Sequence, residues 1–295
     1  MLLYTNCALC PRRCHVDRTR GELGFCREPD HIYAARAAAH YWEEPVISGS
    51  FGSGAVFFSG CTLKCIFCQN RIISQQNLGK EITSEHLREI FLKLIDDGVQ
   101  NINLVTPTHF LPSIVPALTP KLPVPIIYNC GGYERVETLR ELEGLVDIYL
   151  PDMKYSNANL AAKLSRATDY VETAKAAIQE MYRQVGSAAI EDDIMQHGLI
   201  VRHLILPGEL DNTLGVLDWF AETFPKADVL FSLMSQYVPM GKAKKLPPYD
   251  RKITEEEYDA AISYLDFLGI ESGFTQDFTS ATEDYIPDFS FEGLE

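Results

Sequence analysis

Gly60-Cys-Thr-Leu-Lys-Cys-Ile-Phe-Cys-Gln-Asn70 sets Cys61, Cys65 and Cys68 in a C-x3-C-x2-C run, just after the apolar stretch Ala55-Val-Phe-Phe58. The stretch reads as a buried strand. Gly60 lets the chain turn after it, because glycine tolerates backbone angles closed to other residues. Three thiolates this close suit three corners of a cubane iron–sulfur cluster. Such clusters usually take four cysteines. With three, one iron stays open to a substrate or cofactor, as the open position of a catalytic metal site does. The competing reading, three buried or zinc-binding thiols, leaves unexplained why the run sits at the end of a strand, where a barrel enzyme carries its chemistry.

From about Ala55 onward the sequence alternates strand and helix. Apolar runs at Ala55–Ser59, Ile102–Thr106, Val124–Tyr128, Val146–Leu150, Leu199–Leu206 and Asp228–Leu233 predict six strands. The clearest helix is Ser84 to Asp97, where Leu87, Ile90, Phe91, Leu94 and Ile95 recur at helical spacing. Further helices are expected near Leu111–Leu118, Glu134–Glu143, Asn157–Gln184, Thr213–Thr223 and Thr254–Leu268. Six strand–helix units make three-quarters of an eight-fold barrel. The expected class is therefore α/β, a partial (β/α)6 barrel over residues 51–270. A small Cys-rich metal-binding module is expected at 1–50 and an acidic, aromatic tail at 271–295. Little chain is left after the sixth strand to close the barrel mouth.

Phe67 precedes the third cysteine of the run. With it, Cys61, Cys65 and Cys68 resemble the signature of the radical S-adenosylmethionine (radical SAM) superfamily, whose partial barrel matches the strand pattern. The resemblance implies a 4Fe-4S cluster on these cysteines, an open iron that chelates SAM, and Phe67 beside the cofactor. Elsewhere in the superfamily a Gly-Gly-Glu type segment follows strand two. This chain has Val105-Thr-Pro-Thr-His-Phe110 there, which resembles the PflX-type proteins related to pyruvate formate-lyase activating enzymes. Thr106 and Thr108 offer hydroxyls and carbonyls to the cofactor at that place, and His109 is a polar contact or a proton carrier. Tyr128-Asn-Cys-Gly-Gly-Tyr133 is similar to the Asn-Gly-Tyr segment of those activating enzymes and makes Asn129 a cofactor ligand. Cys130 reads as a small packed residue. Leu150-Pro-Asp-Met-Lys-Tyr155 carries an Asp-x-Lys pattern like theirs. Asp152 and Lys154 share one side of an extended segment and are expected near SAM. Of the neighbours Arg202 and His203, Arg202 is expected to face the interior, because a charge in an apolar run needs a partner. Ser235, Gln236 and Tyr237 form a polar lip at the cofactor face or an ordinary turn.

Cys7, Cys10, Cys14 and Cys26 form a second set. Four thiolates suit tetrahedral zinc or a second iron–sulfur cluster, and the spacing does not choose between them. Arg12, Arg13, Arg18, Arg20 and Arg27 lie among them, available to stabilise thiolates or to meet an acidic partner. The surrounding run also resembles the PflX subgroup.

The chain has 295 residues and a formal net charge of −15, which disfavours a general nucleic-acid binder. Seven acidic and no basic residues lie between Glu271 and Glu295. No apolar run approaches the roughly 18 residues of a membrane span, and no signal peptide opens the sequence. A cytoplasmic protein with reduced thiols is expected. The resemblance implies a radical SAM oxidoreductase that makes a 5′-deoxyadenosyl radical and abstracts hydrogen from a backbone glycine of a glycyl-radical enzyme. Its electron donor would be a flavodoxin or ferredoxin. The alternatives are a radical SAM enzyme for a small molecule or peptide, and a non-catalytic metal-binding interaction protein.

Overall fold

In the computed structural model, which describes residues 2–225, 227–282 and 287–295, the apolar runs become strands of one sheet. In chain order these are β1 (Ile32–His40), β2 (Ser53–Phe58), β3 (Lys80–Ile82), β4 (Ile102–Val105), β5 (Ile126–Cys130), β6 (Ile148–Pro151), β7 (Ala189–Glu191), β8 (Ile194–Leu204), β9 (Leu230–Met234) and β10 (Gly273–Thr275). Their order across the sheet is β10-β9-β8-β6-β5-β4-β2-β1-β3, with β7 paired to β8. Strands β2, β4, β5, β6, β8 and β9 are mutually parallel and match the six expected strands. The helices are α1 (Pro45–Ser48), α2 (Arg71–Ser74), α3 (Ser84–Asp96), α4 (Leu111–Ala117), α5 (Val136–Arg140), α6 (Ala158–Ser165), α7 (Tyr170–Val185), α8 (Leu210–Thr223) and α9 (Glu255–Phe267).

Local chemistry sets the helix ends. Thr83 caps α3 by accepting from the His86 N–H, and Leu87, Ile90, Phe91 and Leu94 make its buried face. Thr254 and Glu257 form a reciprocal capping box on α9. The helix expected over Asn157–Gln184 is two helices. Arg166 adopts a left-handed backbone (φ 55°) that ends α6, and α7 starts at Tyr170. The break leaves the Leu164 and Ser165 carbonyls free to accept from the Ile66 and Lys64 N–H groups, so it holds the cysteine loop.

Side chains along the parallel strands alternate between two layers. Leu199, Val201 and His203 turn outward beneath the helices, whereas Ile200, Arg202 and Leu204 turn inward. The inner floor is apolar, with Ile127, Ile148, Leu150, Ile200 and Leu230 packed around Ile47. Ile47 belongs to α1, so a segment assigned by sequence to the N-terminal module plugs the barrel interior. The sheet also runs past the expected limits of 51–270 at both ends. Strand β1 lies antiparallel to β2, and β10 lies parallel to β9.

The tail is engaged at both sheet edges. Beyond β10, Phe289 packs edge-on against Phe57 of β2 at 5.6 Å, and the Ala37 N–H of β1 donates to the Glu292 carbonyl. Pro287 reaches the wall of the central cavity. The expectation that little chain closes the mouth is corrected here. The apolar residues of an acidic tail pack where β1 runs on beyond its pairing with β3.

Candidate cluster and cofactor site

The cysteine loop leaves β2 through Gly60, whose φ is +75° and where a Cβ would lie 2.5 Å from Glu28. Only glycine fits there. The loop is fastened from outside by α6 and from beneath by α2. Ser165 Oγ donates to Cys65 Sγ at 2.9 Å, Cys68 Sγ meets Ser74 Oγ at 3.2 Å, and the Leu63 N–H donates to Cys61 Sγ at 3.3 Å. Burial pushes the Cys61 thiol up to about 12, with Cys65 adding to it. Burial pushes Cys68 up to about 11, again with Cys65 adding. The desolvated Cys61 and Cys68 thiols ionise readily only against a metal, whose binding releases their protons. All three line one cavity of about 250 Å³.

Across that cavity lies a polar layer just above the apolar floor. Arg202 is its hub. Nε donates to Asp152 Oδ1 at 2.9 Å, Nη1 to Glu43 Oε2 at 3.0 Å and Nη2 to Asn129 Oδ1 at 2.6 Å. Lys154 Nζ donates to Asp152 Oδ2. Burial alone would raise the Asp152 carboxyl, but the Lys154 ammonium and Arg202 guanidinium outweigh it and hold the pKa below the ordinary range. Burial alone would lower Lys154, but Asp152 and then Cys65 raise it above the ordinary value. Asn129 and Asn103 both donate to Glu43 Oε1 at 3.1 Å. Gly132 lets the next turn close, since a Cβ there would sit 2.3 Å from the Asp152 carbonyl.

Of the residues singled out by sequence, Phe67, Thr106, Asn129, Asp152, Lys154 and Arg202 meet at this cavity with Cys61, Cys65 and Cys68. Phe67 packs on Tyr237 with ring centroids 5.8 Å apart, and Gln236 also lines the wall. Ser235 instead donates to the Asp277 carbonyl at 2.7 Å. Cys130 is 3% exposed and packed, and it also touches the cavity. Thr108 does not line it. The turn at Pro107 rotates Thr108 outward, where Oγ1 donates to Glu134 Oε1 at 2.8 Å. His109 is buried, its Nε2 donating to the Ser59 carbonyl at 2.5 Å. Burial, with Arg18 adding, lowers it to about 3, which keeps it neutral. His203 faces outward to the Met153 carbonyl and Thr213.

Sequence reasoning missed Glu43, Glu44, His40 and Trp42. The first two enter the barrel beside Arg202, and His40 and Trp42 line the cavity. The pair of acids before Pro45 was the available signal, since two carboxylates next to an apolar Pro-Val-Ile turn need cationic partners somewhere.

In the N-terminal set Cys7, Cys10 and Cys26 are buried and Cys14 is half-buried. Burial raises Cys10 and Cys26, and each also feels Cys7. Among the described residues no three His, Cys, Asp or Glu side chains converge on one point as the ligands of a single ion would. The cysteines of a cubane bind different irons, so their sulfurs need not converge. The arginines among these cysteines divide. Arg12 donates to the Thr62 and Arg166 carbonyls and stacks 3.8 Å over Phe25. Arg18 donates to the Pro29 and His109 carbonyls. Both tie the module to the barrel, whereas Arg13, Arg20 and Arg27 are exposed.

A family model described as a 4Fe-4S single cluster domain (Fer4_12) matches residues 49–111, which include Cys61, Cys65 and Cys68. Solved structures show the same fold at low identity. Streptococcus suis SuiB bound to precursor peptide SuiA is 13% identical with a TM-score of 0.51, over 75% of this chain and 48% of that one. Methylornithine synthase PylB is 14% identical with a TM-score of 0.51, over 79% and 63%. A spore photoproduct lyase variant is 11% identical with a TM-score of 0.52, over 82% and 81%. The chain thus spans about half the length of SuiB. The fold is similar to that of the radical SAM enzymes, and residues 49–111 match a 4Fe-4S domain. Within it, the chain belongs to the family of the uncharacterized protein MJ0674 of Methanocaldococcus jannaschii. The two are 33% identical over 279 residues, which are 91% of this chain and 77% of that protein.

Proposed function

We propose that the protein is a radical SAM oxidoreductase that reductively cleaves S-adenosylmethionine. The observation that carries the reading is the meeting of Cys61, Cys65 and Cys68 with Asn129, Asp152, Lys154 and Arg202 around one cavity. A 4Fe-4S cluster on the three thiolates would supply the electron that cleaves SAM to methionine and a 5′-deoxyadenosyl radical. The chain's own residues position and exclude. Lys154 offers a cation to the methionine carboxylate, and Asn129 an amide to a polar edge. Lys154 and Arg202 keep Asp152 ionised, and Arg202, itself held by Glu43, fixes it in place. Phe67, backed by Tyr237, keeps water from the cluster side.

For the substrate we infer a backbone glycine of a glycyl-radical enzyme, supported by the likeness of Asn129–Tyr133 and Asp152-Met-Lys154 to activating enzymes of that kind. The position of Pro287 in the cavity wall favours a second reading, a peptide or small molecule that passes a narrower opening. A flavodoxin or ferredoxin would supply the electron, and Cys7, Cys10, Cys14 and Cys26 would hold zinc or a second cluster. All eight cysteines are free thiols, which fits a reducing cytoplasm. No helix among the described residues is long and apolar enough to cross a membrane.

The test is anaerobic reconstitution with iron and sulfide, reduction with dithionite, and assay of 5′-deoxyadenosine. The parent protein should form it, and Cys61→Ala, Cys65→Ala and Cys68→Ala should not. A reconstituted, SAM-binding parent that forms none would sink the reading. Deuterium carried into 5′-deoxyadenosine from a glycine-labelled partner enzyme would separate glycine abstraction from the second reading.

A further inference from the structure

On the solvent side of the cysteine loop lies a second cleft, of about 440 Å³, lined by Phe25, Arg27, Lys64, Ile66, Arg71, Gln75, Lys163, Arg166 and Lys242. Six of these nine residues are cations, none is an acid, and the cleft belongs to a chain of net charge −15. The six come from four separate parts of the chain: the N-terminal module, the cysteine loop with α2, the end of α6, and the turn after β9. All but Lys64 are exposed. Among the described residues none of the six is in an ion pair. Like charges gathered without counterions repel, and a cleft with one sign of charge focuses its field on an oppositely charged partner.

The location narrows the partner. Lys64 and Ile66 flank Cys65, and Phe25 and Arg27 flank Cys26. The loop's outer face is fixed in place, because the Ile66 N–H donates to Leu164 and the Ala243 N–H to Ile66. Both cysteine sets therefore come within one residue of this single surface. We propose that the cleft is the docking surface for an acidic, one-electron carrier protein. The identity of the partner rests on the radical SAM reading, whereas the acidity rests on the charges alone. On docking, the reduced carrier would give up one electron to a 4Fe-4S cluster held by Cys61, Cys65 and Cys68, and no proton or group would move. Exposed, flexible cations spread over several elements suit a transient protein partner, in which charge sets encounter and orientation.

The test uses the full, reconstituted chain and an acidic flavodoxin. Binding is measured by calorimetry at 50 and 300 mM salt, and SAM cleavage is driven either by the reduced flavodoxin or by dithionite. The parent should bind at least tenfold more weakly at the higher salt, because exposed charges are screened beyond about 10 Å at 0.1 M. Lys163→Glu/Lys242→Glu should weaken flavodoxin binding at 50 mM salt at least tenfold and flatten the salt dependence. It should leave iron content and dithionite-driven cleavage unchanged. A variant that binds flavodoxin like the parent overturns the proposal. So does saturable binding of inorganic pyrophosphate in the cleft that leaves flavodoxin binding unaltered, which would mark a small-anion site. Absence of cleavage with dithionite would sink the enzymatic reading, but the binding measurements would still report on the docking surface.

Discussion

Asp152 and Lys154 stand two residues apart at the end of β6 and form an ion pair that Arg202 shares. Their side chains are 15% and 21% exposed, so losing one leaves the other group charged, enclosed and poorly solvated. A charged hydrogen bond contributes about 1.5–3 kcal/mol. Lys154→Ala or Asp152→Ala should therefore weaken SAM binding roughly ten- to a hundredfold, with iron content intact. Anaerobic calorimetry reads this directly. Parent-like affinity in both variants would reduce the pair to a structural bridge. Glu134 poses a different residue-scale question. Burial raises its carboxyl to about 8, against hydrogen bonds from Thr108 and Tyr128 that lower it. In the unfolded chain it ionises near 4.5, whereas the folded chain keeps the proton until about 8. Folding then binds the proton more tightly, so stability falls as pH rises between those values. Glu134→Gln should remove that slope, and the variant should gain on the parent between pH 5 and 8 in urea unfolding. Parallel curves across that range would show Glu134 ionised in the fold.

At the scale of elements, the six barrel strands were legible because each is an apolar run bounded by turn residues. The cysteine loop was legible because its spacing is local. Glu43 was not, since its partners Asn103, Asn129 and Arg202 lie 60, 86 and 159 residues away. Thr108 was expected at the cofactor by likeness of place, but β4 ends at Val105 and the turn after Pro107 carries Thr108 away from the cavity. The helix break at Arg166 was hidden because Ser165-Arg-Ala-Thr168 carries neither glycine nor proline. The N-terminal module is an element of its own kind. The His15 N–H donates to the Cys7 carbonyl and the Cys7 N–H to Val16, so a tight hairpin carries Cys10, and Cys7 and Cys26 lie close enough to act on its thiol. Cys7→Ser/Cys10→Ser should lower the metal content by one zinc or one cluster's worth of iron, measured by elemental analysis. The Cys61, Cys65 and Cys68 cluster should stay assembled. Unchanged metal content would mean that these thiols are packing residues.

Over the whole molecule, the tail links the two ends of the open sheet. Strand β10 extends one edge at β9. Past it, Phe289 is 8% exposed against Phe57, and Leu294 is fully buried among residues of β1, β2 and α3. Charge also contributes a contact, Arg36 with Glu292 at 2.8 Å, but the Glu292 side chain is 57% exposed. Exposed pairs contribute about 0–1 kcal/mol, whereas truncating a buried phenylalanine costs about 3–5 kcal/mol. Packing, not charge, should therefore hold the tail in place. Phe289→Ala should lower the unfolding free energy by about 3 kcal/mol, and Glu292→Ala by less than 1 kcal/mol. Urea denaturation of both variants checks this. If the tail opens as a unit before the barrel unfolds, Phe289→Ala should instead give a second, earlier transition, together with faster proteolysis near Pro287. Equal, small effects from the two substitutions would show that the tail rests on the sheet without stabilising it. In that case the wall that Pro287 gives the cavity would be no barrier to a protein substrate, and the glycine-abstraction reading would gain over the peptide or small-molecule one.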